Sequence, residues 1–223
     1  MLVKRTFDLF FSVFGLCILS PLLLILAVLV KLDSEGPVFY RGLRGGRFGK
    51  PFRIFKFRTM VRNAERLGGP STSGDDARIT RVGAWLRRYK LDEFPQLLNV
   101  LRGEMSLVGP RPEVFSETLD YTSEERRLFE LRPGITDWAS IRFRNEAEIL
   151  RGSTDPHRAY RELIRPEKMR LGLAYVEHHS FRDDLAILFE TLRIILFPAA
   201  EFKLPARVAE GLRPYECIQS QHR

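Results

Sequence analysis

Asp92 and Glu93 stand side by side in Tyr89-Lys90-Leu91-Asp92-Glu93-Phe94-Pro95-Gln96-Leu97, two carboxylates at the mouth of a short apolar helix. Arg87, Arg88 and Lys90 lie just before the pair, and Gly109-Pro110-Arg111-Pro112 adds an arginine on a rigid bend downstream. Paired carboxylates inside a cationic rim suit phosphate chemistry with a divalent metal. Metal and cations neutralise the phosphates, leaving one carboxylate to act as nucleophile or base. Taken alone, the pair reads more commonly as an exposed helix start, where the helix dipole favours acidic residues. The surrounding chain shifts that balance.

The elements that must carry these groups are legible in part. Residues 36–60 read as a β-rich stretch, with Pro37-Val38-Phe39-Tyr40 and a strand over 51–58 on either side of the glycine-rich turn 42–49. Alternation in the second strand puts Phe52, Ile54, Lys56 and Arg58 on one face, opposite Arg53, Phe55 and Phe57. Lys56 and Arg58 then form either a phosphate clamp or a pair of solvated cations. No GxxxxGK[ST] loop accompanies the glycines. Residues 68–76 read as a loop and 81–90 as a basic helix, with Pro95 suited to the first turn of the next one. Residues 123–131 read as a helix capped by Ser123, and 135–143 as loop or extended chain. Over 183–197, Leu185, Leu188, Phe189, Leu192, Ile195 and Leu196 share one helical face, which packs either in the core or in a membrane interface.

With 223 residues the chain suffices for one domain with a real core plus an appendage. Its net charge of +8 points to anionic partners: nucleic acid, acidic lipid or phosphorylated substrates. Cys17 and Cys217 make no disulfide framework and no metal spacing, which suits a reducing compartment. His157, His178, His179 and His222 show no ligand pattern, and His178-His179 read as surface residues.

Residues 9–30 carry no charge and, as one straight helix, would reach about 33 Å, enough to cross a bilayer core. Ser20-Pro21 interrupts them, and proline removes a backbone donor and clashes with the preceding turn. Two half-helices would each be too short to span. Basic residues flank both ends, so the immediate flanks set no positive-inside bias. The residues themselves leave two topologies open: a re-entrant hairpin in one leaflet, or a kinked transmembrane helix.

Eight segments together resemble the bacterial sugar transferase family, the monotopic phosphoglycosyl transferases. They are Lys4-Arg5-x-x-Asp8, Ser20-Pro21, Gly36-Pro37-Val38, Lys56-Phe57-Arg58-Thr59-Met60, Arg78-Ile79-Thr80-Arg81-x-Gly83, Leu91-Asp92-Glu93-Phe94-Pro95-Gln96-Leu97, Met105-Ser106-Leu107-Val108-Gly109-Pro110-Arg111-Pro112 and Arg132-Pro133-Gly134-Ile135-Thr136. They run in the family's order over residues 4 to about 197.

The resemblance implies transfer of sugar-1-phosphate from a UDP-sugar to polyprenyl (undecaprenyl) phosphate, with release of UMP, at the cytoplasmic face of the bacterial inner membrane. Asp92 would be the nucleophile, forming a covalent phosphosugar intermediate, and Glu93 an assisting base or metal contact. Magnesium would sit on Asp92, Glu93 and the diphosphate. Lys56, Arg58, Arg87 and Arg111 would hold phosphates through charge-assisted hydrogen bonds. The expected fold is a mostly helical α+β one. Residues 1–32 would form a re-entrant anchor broken at Ser20 and Pro21, residues 33–200 a catalytic domain with a small β-hairpin region and amphipathic interfacial helices, and residues 201–223 a tail. A homodimer fits this expectation and a nucleic-acid partner does not; the rival class is a membrane-tethered basic binding or scaffold protein without catalysis.

The sequence departs from the family's pattern at Gly42, Lys90, Phe94 and Asp137 and over 138–146. The last two fall where sugar or nucleotide contacts are expected. With no long multi-helix extension before the anchor, the chain is expected to be a minimal catalytic form.

Overall fold

Helix α1 (Leu2–Asp33) runs without interruption through Ser20-Pro21 in the computed structural model, which describes residues 2–197, 200–210 and 212. Helical backbone thus continues on both sides of the bend expected at Ser20 and Pro21. Pro21 cannot donate to the carbonyl four residues back, that of Cys17, and the Ser20 hydroxyl donates to it instead at 2.9 Å. Phe10, Phe14, Ile18, Leu24, Ile25 and Val28 are all more than half exposed, so most of the helix presents apolar side chains outward.

Both ends of α1 are tied to the rest of the chain. Near its start, Lys4 donates to the Val108 carbonyl at 2.9 Å and pairs with Asp184 at 2.6 Å. Arg5 donates to the Val100 carbonyl, and Asp8 accepts from the Ser106 hydroxyl and the Leu107 amide. At its far end the Val30 carbonyl accepts from Arg58, and Asp33 accepts from the Val82 amide at 3.0 Å.

Among the described residues, six short strands follow the helix. The first four, β1 (Phe39–Tyr40), β2 (Leu43–Gly45), β3 (Pro51–Arg53) and β4 (Lys56–Phe57), form two antiparallel pairs, β1 with β4 and β2 with β3. The single strand expected over 51–58 is therefore split. The Phe55 amide donates to the side chain of Asn99 at 2.7 Å, which pulls the backbone out of strand register between β3 and β4. Phe52, Ile54, Phe55 and Phe57 are consequently all buried, and two-residue alternation fails.

After a loop whose base is the Met60–Ile79 bridge, α2 (Arg81–Arg88) starts on a Thr80 cap. Lys90 then turns the chain into a 3-10 segment, Leu91–Gln96, which leads into α3 (Leu97–Leu101). Strands β5 (Ser106–Val108) and β6 (Gly134–Thr136) pair in parallel. At the first residue of β6, a Cβ on Gly134 would sit 2.1 Å from the Gly109 amide nitrogen, so only glycine allows the approach.

Between these strands lie α4 (Phe115–Thr118) and a 3-10 segment, Glu125–Glu130, within the stretch 123–131 expected as a helix. Thr122, not Ser123, caps it: the Glu125 amide donates to the Thr122 hydroxyl, and Glu125 accepts from the Thr122 amide. Residues 135–143, expected as loop or extended chain, supply most of β6 and then α5 (Trp138–Arg142).

The remaining helices are α6 (Glu146–Ile149), α7 (Pro156–Leu163), α8 (Arg165–His178), α9 (Phe181–Leu196) and α10 (Ala206–Glu210). Val100, Met105, Val108, Trp138, Tyr175 and Ile187 lie in one buried cluster, against which Phe202, Leu204 and Val208 also pack. His178 and His179 are exposed, as expected; Cys217 and His222 lie outside the described residues.

Helix α9 turns its apolar stripe outward. Leu185, Phe189, Leu192, Ile195 and Leu196 are exposed, whereas Ile187, Ile194 and Asp184 face inward. Asp184 is satisfied there by Lys4 and the Tyr175 hydroxyl, and Thr191 bonds Thr136 at 2.8 Å. Phe181 meets Phe7 edge to face at 5.3 Å, so the outward apolar surfaces of α9 and α1 adjoin.

Candidate active site

The 3-10 segment Leu91–Gln96 packs against β4 and α2 and delivers Asp92 and Glu93 to the same place. Lys90 opens it in a left-handed conformation (φ 57°), uncommon for a residue with a Cβ. Asn99 fixes the segment to the strands: it accepts from the Phe55 amide and donates to the Arg53 carbonyl at 2.9 Å and to Glu104 at 2.7 Å. Fully buried and satisfied, Asn99 sets the register that points Lys56 at the carboxylates.

Lys56 lies 2.8 Å from Asp92 Oδ2 and 3.3 Å from Glu93 Oε1. Arg111 grips Glu93 with both terminal nitrogens, at 2.6 and 3.3 Å. Burial pushes the Glu93 carboxyl up, but Arg111, Lys56 and Lys90 together outweigh it and hold the group well below the usual carboxylate range. Glu93 in turn raises the Arg111 guanidinium. Asp92 is 1 % exposed, and its Oδ1 has no hydrogen-bond partner. That oxygen is the one carboxylate atom of the pair left uncommitted.

Asp137 holds Arg111 from behind. One of its oxygens accepts the Arg111 amide at 3.2 Å, the other the Ser140 amide at 2.6 Å as the cap of α5. Asp137 and Asn99 are the positioning residues that sequence reasoning missed. For Asn99 the available signal was a lone polar residue within Leu97-Leu98-Asn99-Val100-Leu101, and for Asp137 a good capping residue directly before Trp138.

Of the expected site residues, Asp92, Glu93, Lys56 and Arg111 come together. Arg58 does not join them: buried, it donates to the Val30 and Ser34 carbonyls and the Ser34 hydroxyl, where it satisfies the end of α1. Its proximity to Lys56 in sequence misleads because β4 ends at Phe57. Arg87 lies within the field of Asp76, which is itself paired with Arg78 at 2.6 Å. Ser20 and Pro21 sit mid-helix in α1, where the Ser20 hydroxyl serves the Cys17 carbonyl.

Among the described residues no group of three or more His, Cys, Asp or Glu lies together as a metal cage. Both Glu93 oxygens are taken by cations, so Asp92 Oδ1 is the protein oxygen free for a metal. That donor set fits magnesium carried largely by phosphate oxygens and water, as it commonly is. It does not suit a site built by protein ligands alone.

The family model for bacterial sugar transferases matches residues 1–198. The chain is 39% identical over 196 residues to an uncharacterized sugar transferase, EpsL, of Bacillus subtilis (strain 168), covering 88% of each chain. It is 40% identical over 200 residues to a UDP-glucose:undecaprenyl-phosphate glucose-1-phosphate transferase of Caulobacter vibrioides, covering 86% of this chain and 69% of that one. Against an undecaprenyl-phosphate glucose phosphotransferase of Komagataeibacter xylinus, identity is 39% over 213 residues, but this chain spans 37% of that relative's length. By a match over most of its length, carrying the Asp92-Glu93 site within it, this chain belongs to the bacterial sugar transferase family.

Proposed function

We propose that this protein transfers sugar-1-phosphate from a UDP-sugar to polyprenyl phosphate at the cytoplasmic face of the inner membrane, initiating a surface glycan. The observation that carries the reading is the state of Asp92: buried, one oxygen on Lys56, the other unpartnered, beside a Glu93 clamped by two cations. The named activity of the Caulobacter relative supports both substrates, and that of the Komagataeibacter relative supports the undecaprenyl-phosphate carrier.

The Asp92 carboxylate attacks the β-phosphorus of the donor. A phosphorus–oxygen bond forms, the bond from that phosphorus to the bridging oxygen breaks, and UMP leaves with the bridging oxygen. A phosphate oxygen of the carrier then attacks the same phosphorus, the acyl-phosphate bond breaks, and the Asp92 carboxylate returns. Lys56 fixes the orientation of Asp92 throughout. Glu93 keeps Arg111 and Lys56 in place beside it, so the donors around the reacting phosphate are arranged before substrate binds. Because Asp92 is enclosed, donor binding requires neighbouring side chains to part, and the enclosure keeps water from the acyl phosphate. Magnesium, held by Asp92 and the diphosphate, would supply charge neutralisation of the phosphates.

The topology follows the same logic. One domain binds both ends of α1, which supports a helix that enters and leaves one leaflet rather than crossing. The outward stripe of α9 beside it supports an interfacial helix. The site then lies at the lipid surface, where a carrier head group is found.

The test is UMP release by protein held in nanodiscs with magnesium, polyprenyl phosphate and a panel of UDP-sugars, with Asp92→Asn run alongside. Carrier-dependent UMP from one donor, lost in the folded variant, is expected. Full activity in Asp92→Asn would remove the nucleophile assignment, and no UMP from any donor would favour a non-catalytic scaffold.

A further inference from the structure

Two arginines share the ring of Phe55. The guanidinium carbon of Arg41 lies 3.4 Å from the ring centroid and that of Arg102 4.5 Å from it. Sharing one ring at such distances holds the two charges within about 8 Å, the screening length of physiological salt. Arg53 joins them, its Nη1 donating to the Arg41 carbonyl at 3.1 Å. Glu104 borders the group, but one of its oxygens is held by Asn99, which also donates to the Arg53 carbonyl. The ring attracts each guanidinium and leaves its N–H donors unused. Among the described residues the side chains of Arg41 and Arg102 make no hydrogen bond or ion pair, and Arg41 Nε is buried with no acceptor. Buried donors are normally matched. Burial and the Arg102 and Arg53 charges push the Arg41 guanidinium below its ordinary value, against the pull of Glu104. Converging cations with free donors suit an anion that offers several oxygens.

The position of the cluster says where that anion comes from. Arg102 follows Leu101, whose carbonyl, like that of Val100, accepts from Arg5. Arg5 stands one turn before the uncharged run 9–30 of α1. On the topology proposed above, that is the level at which α1 enters the leaflet, so the arginines stand at headgroup depth. Arg5 spends its donors on the Val100 and Leu101 carbonyls, and Arg132 donates its Nε to the Gly103 carbonyl at 2.9 Å. The cluster is separate from the carboxylate pair: Lys56 and Arg111 bind Asp92 and Glu93, whereas the arginines over Phe55 pair with neither.

We infer that Arg41, Arg53 and Arg102 form a site for the phosphate of an acidic phospholipid, which seats the start of α1 against the leaflet. The inference rests on the proposed membrane topology and not on the transfer reaction. Guanidinium groups match phosphate oxygens through paired N–H donors, and the negative surface of an acidic leaflet draws clustered arginines toward it.

The experiment titrates the full chain, in neutral detergent, with dihexanoyl phosphatidylglycerol, dihexanoyl phosphatidylcholine, farnesyl phosphate and inorganic phosphate. Binding is read by native mass spectrometry and by the shift in thermal unfolding. Phosphatidylglycerol is expected to bind saturably and more tightly than the other three. Arg102→Gln and Arg53→Gln, both at exposed positions, are expected to weaken it about tenfold while unfolding without lipid at the wild-type temperature. If either variant fails to fold, the other carries the test. Arg126→Gln removes the same charge from an exposed position outside the cluster and is expected to leave binding unchanged. Unchanged affinity in both cluster variants would overturn the inference, as would an equal loss in Arg126→Gln, which would make net charge the attraction. Inorganic phosphate bound as tightly as the lipid would also overturn it. Tighter binding of farnesyl phosphate, lost in Arg102→Gln, would take the site from phospholipid and give it to the carrier. Arg102-dependent binding of phosphatidylglycerol in a protein whose α1 proves to cross the membrane would keep the site and remove the topology.

Discussion

Asp137 shows how a residue outside the reacting pair sets the geometry of the site. Its two oxygens have separate duties, one to the Ser140 amide and one to the Arg111 amide. Asparagine has a single acceptor oxygen, so Asp137→Asn can keep the cap of α5 and lose the hold on Arg111. The expected result is a small stability loss, less than the roughly 1 kcal/mol typical of losing a cap altogether, with a clear fall in kcat. Thermal unfolding and kcat measured on the same preparation separate the two duties; equal proportional losses would mean Asp137 is only a cap. Within the Asp92, Glu93, Lys56 and Arg111 cluster, the adjacent carboxylates were legible from residue type, whereas the family resemblance joined Lys56 and Arg111 to them. Asp137 was not, because its partner Arg111 lies 26 positions away and a backbone amide leaves no trace in composition. Arg58 misled for the opposite reason: its type suits phosphate, yet the nearest unsatisfied groups were the carbonyls of Val30 and Ser34.

At the scale of elements, legibility follows the range of the interactions. Helices α2 and α9 carry their own caps and periodicity, and both were readable to within a few residues. Strand β6 is three residues long and exists only by parallel pairing with β5, so nothing local marks it. The stripe on α9 was correctly found, but sequence could not say whether it faces the core; Asp184 and Thr191, hydrogen-bonded inward, decide that it does not. Helix α1 is the instructive case. Proline leaves the Cys17 carbonyl without its backbone donor, and the Ser20 hydroxyl donates to it instead. That substitution is testable by a double-mutant cycle. Ser20→Ala orphans the Cys17 carbonyl while Pro21 remains, at an expected cost of about 1 kcal/mol in thermal unfolding in detergent. In a Pro21→Ala background the backbone amide of residue 21 is available, and Ser20→Ala should cost little. Equal costs in both backgrounds would show that the hydroxyl does not stand in for the missing amide.

For the whole molecule, the decisive relation is between α1 and everything after it. A 32-residue helix is about 48 Å long if straight, ample to cross a bilayer, and its composition permits it. Yet Lys4, Arg5 and Asp8 are bound to α3, β5 and α9, whereas Val30 and Asp33 are bound by Arg58 and Val82. A crossing helix would have to strip one of these sets of partners, leaving buried charges such as Asp8 and Asp184 unpaired, each at a cost of several kcal/mol. On the topology proposed above, a helix held at both ends by one domain would keep them all and would bring its apolar face, with that of α9, against a single leaflet. Labelling distinguishes the two. Leu2→Cys and Glu35→Cys, each made after replacing Cys17 and Cys217 by serine, are exposed to a membrane-impermeant maleimide in intact cells and in lysed ones. Both positions protected in intact cells and both reactive after lysis is the expected pattern. One position reactive from outside and the other only from inside would mean that α1 crosses, and that the contacts at one of its ends are absent in the membrane.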